Sequence, residues 1–417
     1  MKILNFGSCN IDYVYTVDHM VCAGETISAT KLELFPGGKG LNQSVAAARA
    51  GADIYHAGCI GNNGEFLKEI LAESGANTDF LKKENIANGH AIIQVDKNGE
   101  NCICIYQGSN GMISKEYVDF VLDNFDSGDI LLLQNEINNM PYIVESAYKR
   151  GIDIVFNPSP FNDGIKEINI DHISYLLVNQ VEAKALFGQD NVSDSVDYIR
   201  EHYPELKVVI TLGKKGCVFV DKKEMIFQSS FVVDTVDTTA AGDTFAGYFV
   251  SFLSKGEDYA HAIKYASAAS ALAVSKMGAA TSIPTIDEVN KAIKVLTPYT
   301  SEDELKNAGL REKIFLYIEE NLVDANLKGL ANLLGYSVSY TGALVRKLTK
   351  SSFSRILQAK RCEIAAKMLR NTNLSVGEII RKTGYENESF FRRKFKEIYG
   401  EYPLKYRKKY EGKGENL

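Results

Sequence analysis

The chain has 417 residues, 45% of them hydrophobic and 24% charged, with a formal net charge of −6. That length exceeds what one core usually holds, so two or more domains of ordinary soluble, globular composition are expected. No apolar run approaches the roughly 20 residues of a membrane span, and the opening MKILNFGSCNID shows no secretory pattern, which argues against a membrane partner and points to the cytoplasm. Seven cysteines (Cys9, Cys22, Cys59, Cys102, Cys104, Cys217, Cys362) form an odd, scattered set with no CxxC pair. They argue against a disulfide framework or a zinc site and read as reduced, mostly buried residues.

Charge is unevenly placed. Residues 301–417 carry 23 Lys and Arg against 15 Asp and Glu, whereas residues 1–300 carry 24 against 38. Within the basic part, residues 341–410 hold 18 basic and 6 acidic side chains. A basic segment appended to an acidic body points toward nucleic acid, although a solvated Lys-rich face has the same composition.

In chain order, short apolar runs predict strands at 2–8, 92–96, 129–136, 152–157, 175–179, 207–213 and 217–221. Helical patterns predict helices at 40–52, 139–151, 181–188 and 193–203. Such alternation builds a mainly parallel sheet with helices on both faces, and ligands then sit beyond the carboxyl ends of the strands. The polar residues expected there are Asn10, Asp12, Glu136, Asn157, Asn179 and Glu182.

GSCNID (7–12) follows the first strand and places Asn10 and Asp12 at its mouth. FPGGKGLNQSVAAARAG (35–51) is a Gly-rich turn entering a helix, with Lys39 and Asn42 as polar groups. It is neither a Walker loop nor a dinucleotide GxGxxG. It suits a backbone that approaches a polyol while Asn10, Asp12 and Asn42 bind neighbouring hydroxyls. VDTTAAGDTFAG (236–247) surrounds Asp243 with residues of almost no side chain, just where a helix begins. Free amides and the positive dipole end make that start an anion site with an acid beside it; a tightly packed loop-to-helix junction has the same pattern.

Residues 296–310 read as a polar, acidic linker, and from 311 the pattern is helix only. LLGYSVSYTGALVRKL (333–348) and KTGYENESFFRRKFK (382–396) share a Gly-Tyr turn followed by a basic, partly apolar helix, which makes a repeated helix-turn-helix. The second helices present Ser339, Tyr340, Arg346 and Lys347 in one unit and Asn387, Glu388, Ser389, Arg392 and Arg393 in the other.

GSCNID, AGET (23–26), PGGKGLNQ, NPSP (157–160), NQVE (179–182), TLGKKG (211–216), VDTTAAGDTF and GAATSIP (278–284) stand in the order and spacing of the PfkB carbohydrate kinases. Residues 1–295 therefore resemble that family, and within it the ribokinase-like members. The resemblance implies an α/β fold, a mainly parallel sheet with helices on both faces plus a small β lid built from about 12–35 and 90–107. It implies an ATP-dependent sugar kinase in which Ala240, Ala241, Gly242 and Asp243 form the anion hole and Asp243 is the base. The amides of Ala241, Gly242 and Asp243 would face the transferred phosphoryl group. Asn10, Asp12, Gly38, Lys39, Asn42, Glu136 and Asp243 would hold the sugar, D-ribose or a similar one.

For ATP the implied residues are Asn179, Thr211, Gly213, Gly216, Gly242 and Ser267. Asn179 and Glu182 would organise hydrated Mg²⁺, a pair that also suits a helix cap with an early-turn acid. Asp237 and Ser282, with carbonyls of Thr239, Ala273, Lys276 and Gly278, would hold K⁺. Two departures stand out: Val178 replaces the usual Pro before NxxE, and Ser267 replaces a His near the nucleotide. A homodimer paired through the lid is also implied.

Residues 311–410 resemble the AraC-type DNA-binding domain, an all-α domain with two helix-turn-helix units, most strongly from Arg361 onward; 411–417 is a tail. Two recognition helices joined by a long helix at about 352–370 can enter successive major grooves of double-stranded DNA. Thr341 and Gly342 depart from the Leu and small polar residue usual in the family, and a Gly inside the helix is expected to leave the first recognition helix loosely held until DNA binds. Three functions stay open on sequence: a ribokinase that also regulates transcription, a sugar-sensing regulator on an inactive kinase fold, and a kinase for another sugar or a nucleoside. Retention of Asp243, the Asn179/Glu182 pair and Asp237 together favours catalysis.

Overall fold

The computed structural model describes residues 1–300 and 302–410, so the expected tail at 411–417 lies outside the described residues. The chain divides into two compact units between Tyr299 and Thr300.

The first unit contains strands β1 (Ile3–Phe6), β2 (Asn10–Thr16), β3 (Lys31–Gly37), β4 (Ile54–Asn62), β5 (Leu81–Ala87), β6 (His90–Val95), β7 (Asn101–Tyr106), β8 (Ile130–Gln134), β9 (Asp153–Asn157), β10 (Tyr175–Asn179), β11 (Lys207–Thr211), β12 (Cys217–Val220) and β13 (Met225–Gln228). Nine form one sheet in the order β13-β12-β11-β10-β9-β8-β1-β4-β5. From β5 to β11 every pairing is parallel; β12 and β13 are antiparallel additions at one edge.

Because side chains alternate along a strand, each central strand feeds two cores. Ile3, Leu132, Val155, Leu177 and Val209 pack on one side with the helices Lys39–Arg49, Ala241–Ser254 and Tyr259–Val274. Leu4, Leu131, Leu133, Ile154, Leu176 and Val208 pack on the other, with the helices Lys115–Leu122, Met140–Lys149, Gln180–Phe187 and Val192–His202. On the first side the helices approach closely through small residues. A Cβ on Gly247 would collide with Ala46 and the backbone of Gln43, and that closeness brings Asp243 to the helix Lys39–Arg49.

The other four strands make a lid sheet, β3-β2-β6-β7. This changes the reading of GSCNID: Asn10 and Asp12 are not at the mouth of β1 but open β2, where Asp12 pairs with Phe35 and Ala91. The chain turns out of the main sheet after Phe6 because Gly7 lies against Gly40 with no room for a Cβ.

The expected linker at 296–310 is structured at both ends. Thr297–Tyr299 pairs with Ser230–Val232, and a helix runs Glu302–Glu320, a stretch rich in the helix formers Glu, Lys and Leu.

In the second unit the helices Leu327–Leu334 and Val338–Thr349 form one helix-turn-helix and Val376–Lys382 and Glu388–Tyr399 the other, with Phe353–Asn371 between them and Pro403–Tyr410 last. The long helix serves two cores: Phe353 and Leu357 join Ile314, Leu330 and Val345, while Cys362, Ala365 and Leu369 join Ile379, Phe391 and Phe395. The helix Val338–Thr349 runs unbroken through Gly342, where an added Cβ would meet only the Leu327 side chain, at 3.4 Å.

Candidate functional site

The Gly-rich turn enters the helix Lys39–Arg49 through the cap residue Gly38, whose φ of +90° favours glycine. That turn brings Lys39 and Asn42 toward Asp243. Asn42 Nδ2 donates to Asp243 Oδ2 at 3.0 Å, Gln43 Nε2 donates to Oδ1 at 3.0 Å, and Lys39 Nζ lies 4.0 Å from Oδ1. Gln43 is held from behind, accepting from Gln134 Nε2 at 2.7 Å. Gln134 also donates to Asn5. Sequence reasoning missed Gln43; its place one residue after Asn42 in GLNQ was the available signal.

Glu136 accepts from Ser8 Oγ and, at 2.9 Å, from the Lys39 amide. Burial pushes its carboxyl above the ordinary range, with Lys39 opposing. Asp12 is raised to about 7 by burial first and then by the charges of Glu136 and Asp243, so these three carboxyl groups share one polar enclosure. Gly37 lies against the Asp12 carboxylate with no space for a Cβ. The Lys39 ammonium is held above its ordinary value chiefly by Asp243. Asn10 is buried and accepts from Asn110 Nδ2 at 2.7 Å. Asn42 Oδ1 is buried with no partner, an acceptor left over beside the acid. Such an arrangement of amides and carboxylates suits a small polyhydroxylated molecule.

Asp243 is buried in the first turn of the helix Ala241–Ser254. The residue before that helix, Ala240, has φ +58°, a left-handed conformation that costs a non-glycine residue about 1–2 kcal/mol. The turn spends one of the three expected amides: Ala241 N donates to Thr238 O at 3.3 Å. Among the described residues the amides of Gly242 and Asp243 have no protein partner, which leaves those two for an anion.

A cavity of about 470 Å³ opens beside this helix start. Thr211, Gly213, Gly216, Ala241, Gly242 and Ser267 all line it, and Gly242 faces open space where a Cβ would stand. Phe231, Val233, Phe245, Ala271 and Val274 supply an apolar wall that sequence reasoning did not find, because it comes from an irregular segment and from helix faces. Asn179 is not among the lining residues. It caps the helix Gln180–Phe187, accepting from the amides of Val181 and Glu182 at 2.9 Å, while the Asn179 amide donates to Glu182 Oε2 at 2.9 Å.

Asp237 accepts from Thr239 N (2.9 Å), Thr239 Oγ1 (2.6 Å) and Gly278 N (3.0 Å). Burial pushes its carboxyl up, but these bonds outweigh it and hold the group below its ordinary value. The loop is tied to the helix Tyr259–Val274 by Asp237 N on Val274 O, and Ala273 O accepts from Lys276 N. Ser282 is buried with its hydroxyl turned to Ala279 O.

In the second unit Ser339, Tyr340, Arg346 and Lys347 are exposed on the helix Val338–Thr349, which Ser337 caps. Asn387 caps its own helix by accepting from Phe390 N, so that side chain is occupied. Arg392 forms an ion pair with Glu388 at 2.6 Å; Arg393 is exposed and stacks over Phe390. Arg361, unassigned by sequence, is buried on the long helix. It donates to Leu322 O at 3.0 Å and Val323 O at 2.7 Å, with its guanidinium 5.7 Å from the Tyr385 ring. It therefore ties the approach to the first helix-turn-helix to the turn of the second.

Residues 1–286 match the model of the pfkB family of carbohydrate kinases, and residues 330–409 match a helix-turn-helix domain. The chain is 34% identical over 296 residues to a ribokinase of Bacillus subtilis (strain 168), covering 70% of this chain and 99% of that one. A crystal structure of ribokinase from Cryptococcus neoformans in complex with ADP matches with a TM-score of 0.63 at 32% identity, over 70% of this chain and 99% of its own. Arabidopsis thaliana ribokinase complexed with ribose and ATP matches with a TM-score of 0.64 at 27% identity, over 70% and 98%. The chain belongs to the pfkB family of carbohydrate kinases, phosphotransferases that act on an alcohol group, and carries an AraC-type helix-turn-helix domain after its kinase domain.

Proposed function

We propose that the protein is a ribokinase, converting D-ribose and ATP to D-ribose 5-phosphate and ADP, and that its second unit binds DNA as a transcriptional regulator. The observation that carries the catalytic half is Asp243: a buried carboxylate oriented by two amides, at a helix start with two N–H groups unpartnered among the described residues, next to Ala241 and Gly242, which line a cavity.

In this reading Asn10, Asp12, Gly38, Lys39, Asn42 and Glu136 hold the sugar hydroxyls, with the orphaned Asn42 Oδ1 taking one of them. Asp243 accepts the proton of the primary hydroxyl as it attacks, and the amides of Gly242 and Asp243 take the charge of the transferring group. Thr211, Gly213, Gly216 and Ser267 border the nucleotide. Asn179 and Glu182 fit hydrated Mg²⁺ through water; bound there it neutralises phosphate charge. Asp237, kept ionised by its hydrogen bonds, fits K⁺ together with carbonyls of Thr239, Ala273, Lys276 and Gly278 and with Ser282; a cation there stiffens the loop before Ala240. The lid exposes Leu34, Ile92, Ile103 and Ile105, apolar area that supports pairing with a second copy.

The test is ATP consumption by the purified protein over a panel of sugars and nucleosides, with and without K⁺, beside Asp243→Asn. Turnover on D-ribose that falls by about 10³-fold or more in the variant, with sugar and DNA binding kept, is the expected result. Turnover on another sugar or a nucleoside alone would change the substrate. No turnover, with ribose still raising the melting temperature, would make the first unit a sugar sensor without catalysis.

A further inference from the structure

The cavity beside Gly242 is walled on one side by the last residue of the first unit. Tyr299 lines it together with Lys214, Ser230, Phe231 and Val232. Backbone pairing puts it there: Val232 N donates to Thr297 O at 2.8 Å, Tyr299 N donates to Ser230 O at 2.7 Å, and Phe231 bridges Pro298 in antiparallel fashion. Ser230 Oγ donates in turn to Lys214 O, and Gly216 has the backbone of Gln228–Ser230 against it where a Cβ would be. Three layers result: the turn Leu212–Gly216, the segment Gln228–Val232 and the exit segment Thr297–Tyr299. Both outer layers present residues to the cavity.

Among the described residues two hydrogen bonds and one half-buried ring hold the exit segment, a small set of contacts of the kind that puts docking toward the low-stability end of a fold. Whatever fills the cavity gains a contact with Tyr299 that it loses when the segment frays, and a ligand shifts an equilibrium by that differential contact. The next residue, Thr300, begins the second unit.

We propose that the cavity has a second function as an effector site: an adenine nucleotide bound in it packs against Tyr299, holds Thr297–Tyr299 docked, and thereby sets the DNA affinity of the second unit. This rests on the reading that the first unit takes ATP and ADP and the second takes DNA. Linkage requires the effect to be mutual, so DNA changes nucleotide affinity by the same factor.

The experiment uses the full chain and a duplex selected by it from a random library. Duplex affinity is measured by fluorescence anisotropy with and without saturating ADP, which binds without turnover, and ADP affinity is measured with and without duplex. The expected coupling is about fivefold or more, equal in both directions. Insertion of about six Gly and Ser residues after Thr300 leaves every cavity residue in place and is expected to bring the factor to one while each separate affinity is kept. Tyr299→Ala is expected to weaken ADP binding and coupling together. Tight duplex and ADP binding with a factor of one in the natural chain, or a factor that survives the insertion, would overturn this inference alone. Failure to select or bind any duplex, or to bind ADP, would overturn the underlying reading and this one with it.

Discussion

Gln43 Nε2 lies 3.0 Å from Asp243 Oδ1, and the residue beside it, Asn42, reaches the other carboxylate oxygen at the same distance. Two consecutive residues of one helix can grip one carboxylate only because the two helices cross closely at Gly247 and Ala46. Asn42 also has an oxygen to spare for substrate, whereas Gln43 has its oxygen committed to Gln134, so its part is to position the base. Gln43→Met is therefore expected to lower kcat by about tenfold to a hundredfold with sugar KM changed less than about threefold. Steady-state kinetics with the melting temperature as control check it; a KM change without a kcat change would remove Gln43 from this role.

Asp12 titrates near neutrality, at about 7, because burial and the charges of Glu136 and Asp243 oppose its ionisation. In the free protein this group keeps a proton that the unfolded chain has already lost, so its contribution to stability falls as pH rises from about 4 to about 7. Sugar hydroxyls that donate to the carboxylate favour the ionised form. Sugar kcat/KM is therefore expected to rise through about pH 7, and Asp12→Asn to flatten that limb as well as weaken binding. A pH–rate series on both proteins decides it.

His56 is fully buried against Ser44 Oγ and Cys9 Sγ, and burial lowers its pKa to about 4. The unfolded chain takes up a proton near pH 6.5 while the folded one does not, so stability is lost as pH falls from about 6.5 to about 4, by roughly 3 kcal/mol over that window. Thermal melts from pH 7 to 5 should show this fall, and a reduced slope in His56→Gln, whatever its absolute stability, assigns it to this residue.

Arg361 and Arg393 test different parts of the DNA-binding unit. Arg393→Ala, at an exposed site, is expected to weaken duplex binding and reduce the slope of log affinity against log salt by about one, with no change in folding. Arg361→Leu leaves the carbonyls of Leu322 and Val323 without their donor. It is expected to lower affinity for a site spanning two major grooves by tenfold or more while the salt slope is kept, because the two recognition helices lose their fixed separation. Anisotropy titrations over a salt series separate the two outcomes.

The central parallel strands β1 and β8 to β11 were legible because strands buried on both faces read as continuous apolar runs, such as ILLLQ at β8 and KVVIT at β11, whereas β4 and the charged edge strand β5, LKKENIA, were missed. The lid was only partly legible. β2, β3 and β7 mix aromatic, acidic and cysteine residues on half-open faces, and β3 ends in Pro36–Gly37, which reads as a turn. Asp12 was found by motif, yet its place on a lid strand depended on pairing with β3 and β6, both distant in sequence.

By itself the sequence determined the alternating α/β body, the helical basic domain and the short motifs around Asp243, since these rest on local periodicity, turn chemistry and residue type. Only the tertiary structure decided that Gln43 holds the base, that Arg361 spans the two helix-turn-helix units, and that Tyr299 closes the cavity. Each of these joins positions separated by tens to hundreds of residues, and such contacts arise from packing of whole elements, which no local pattern encodes.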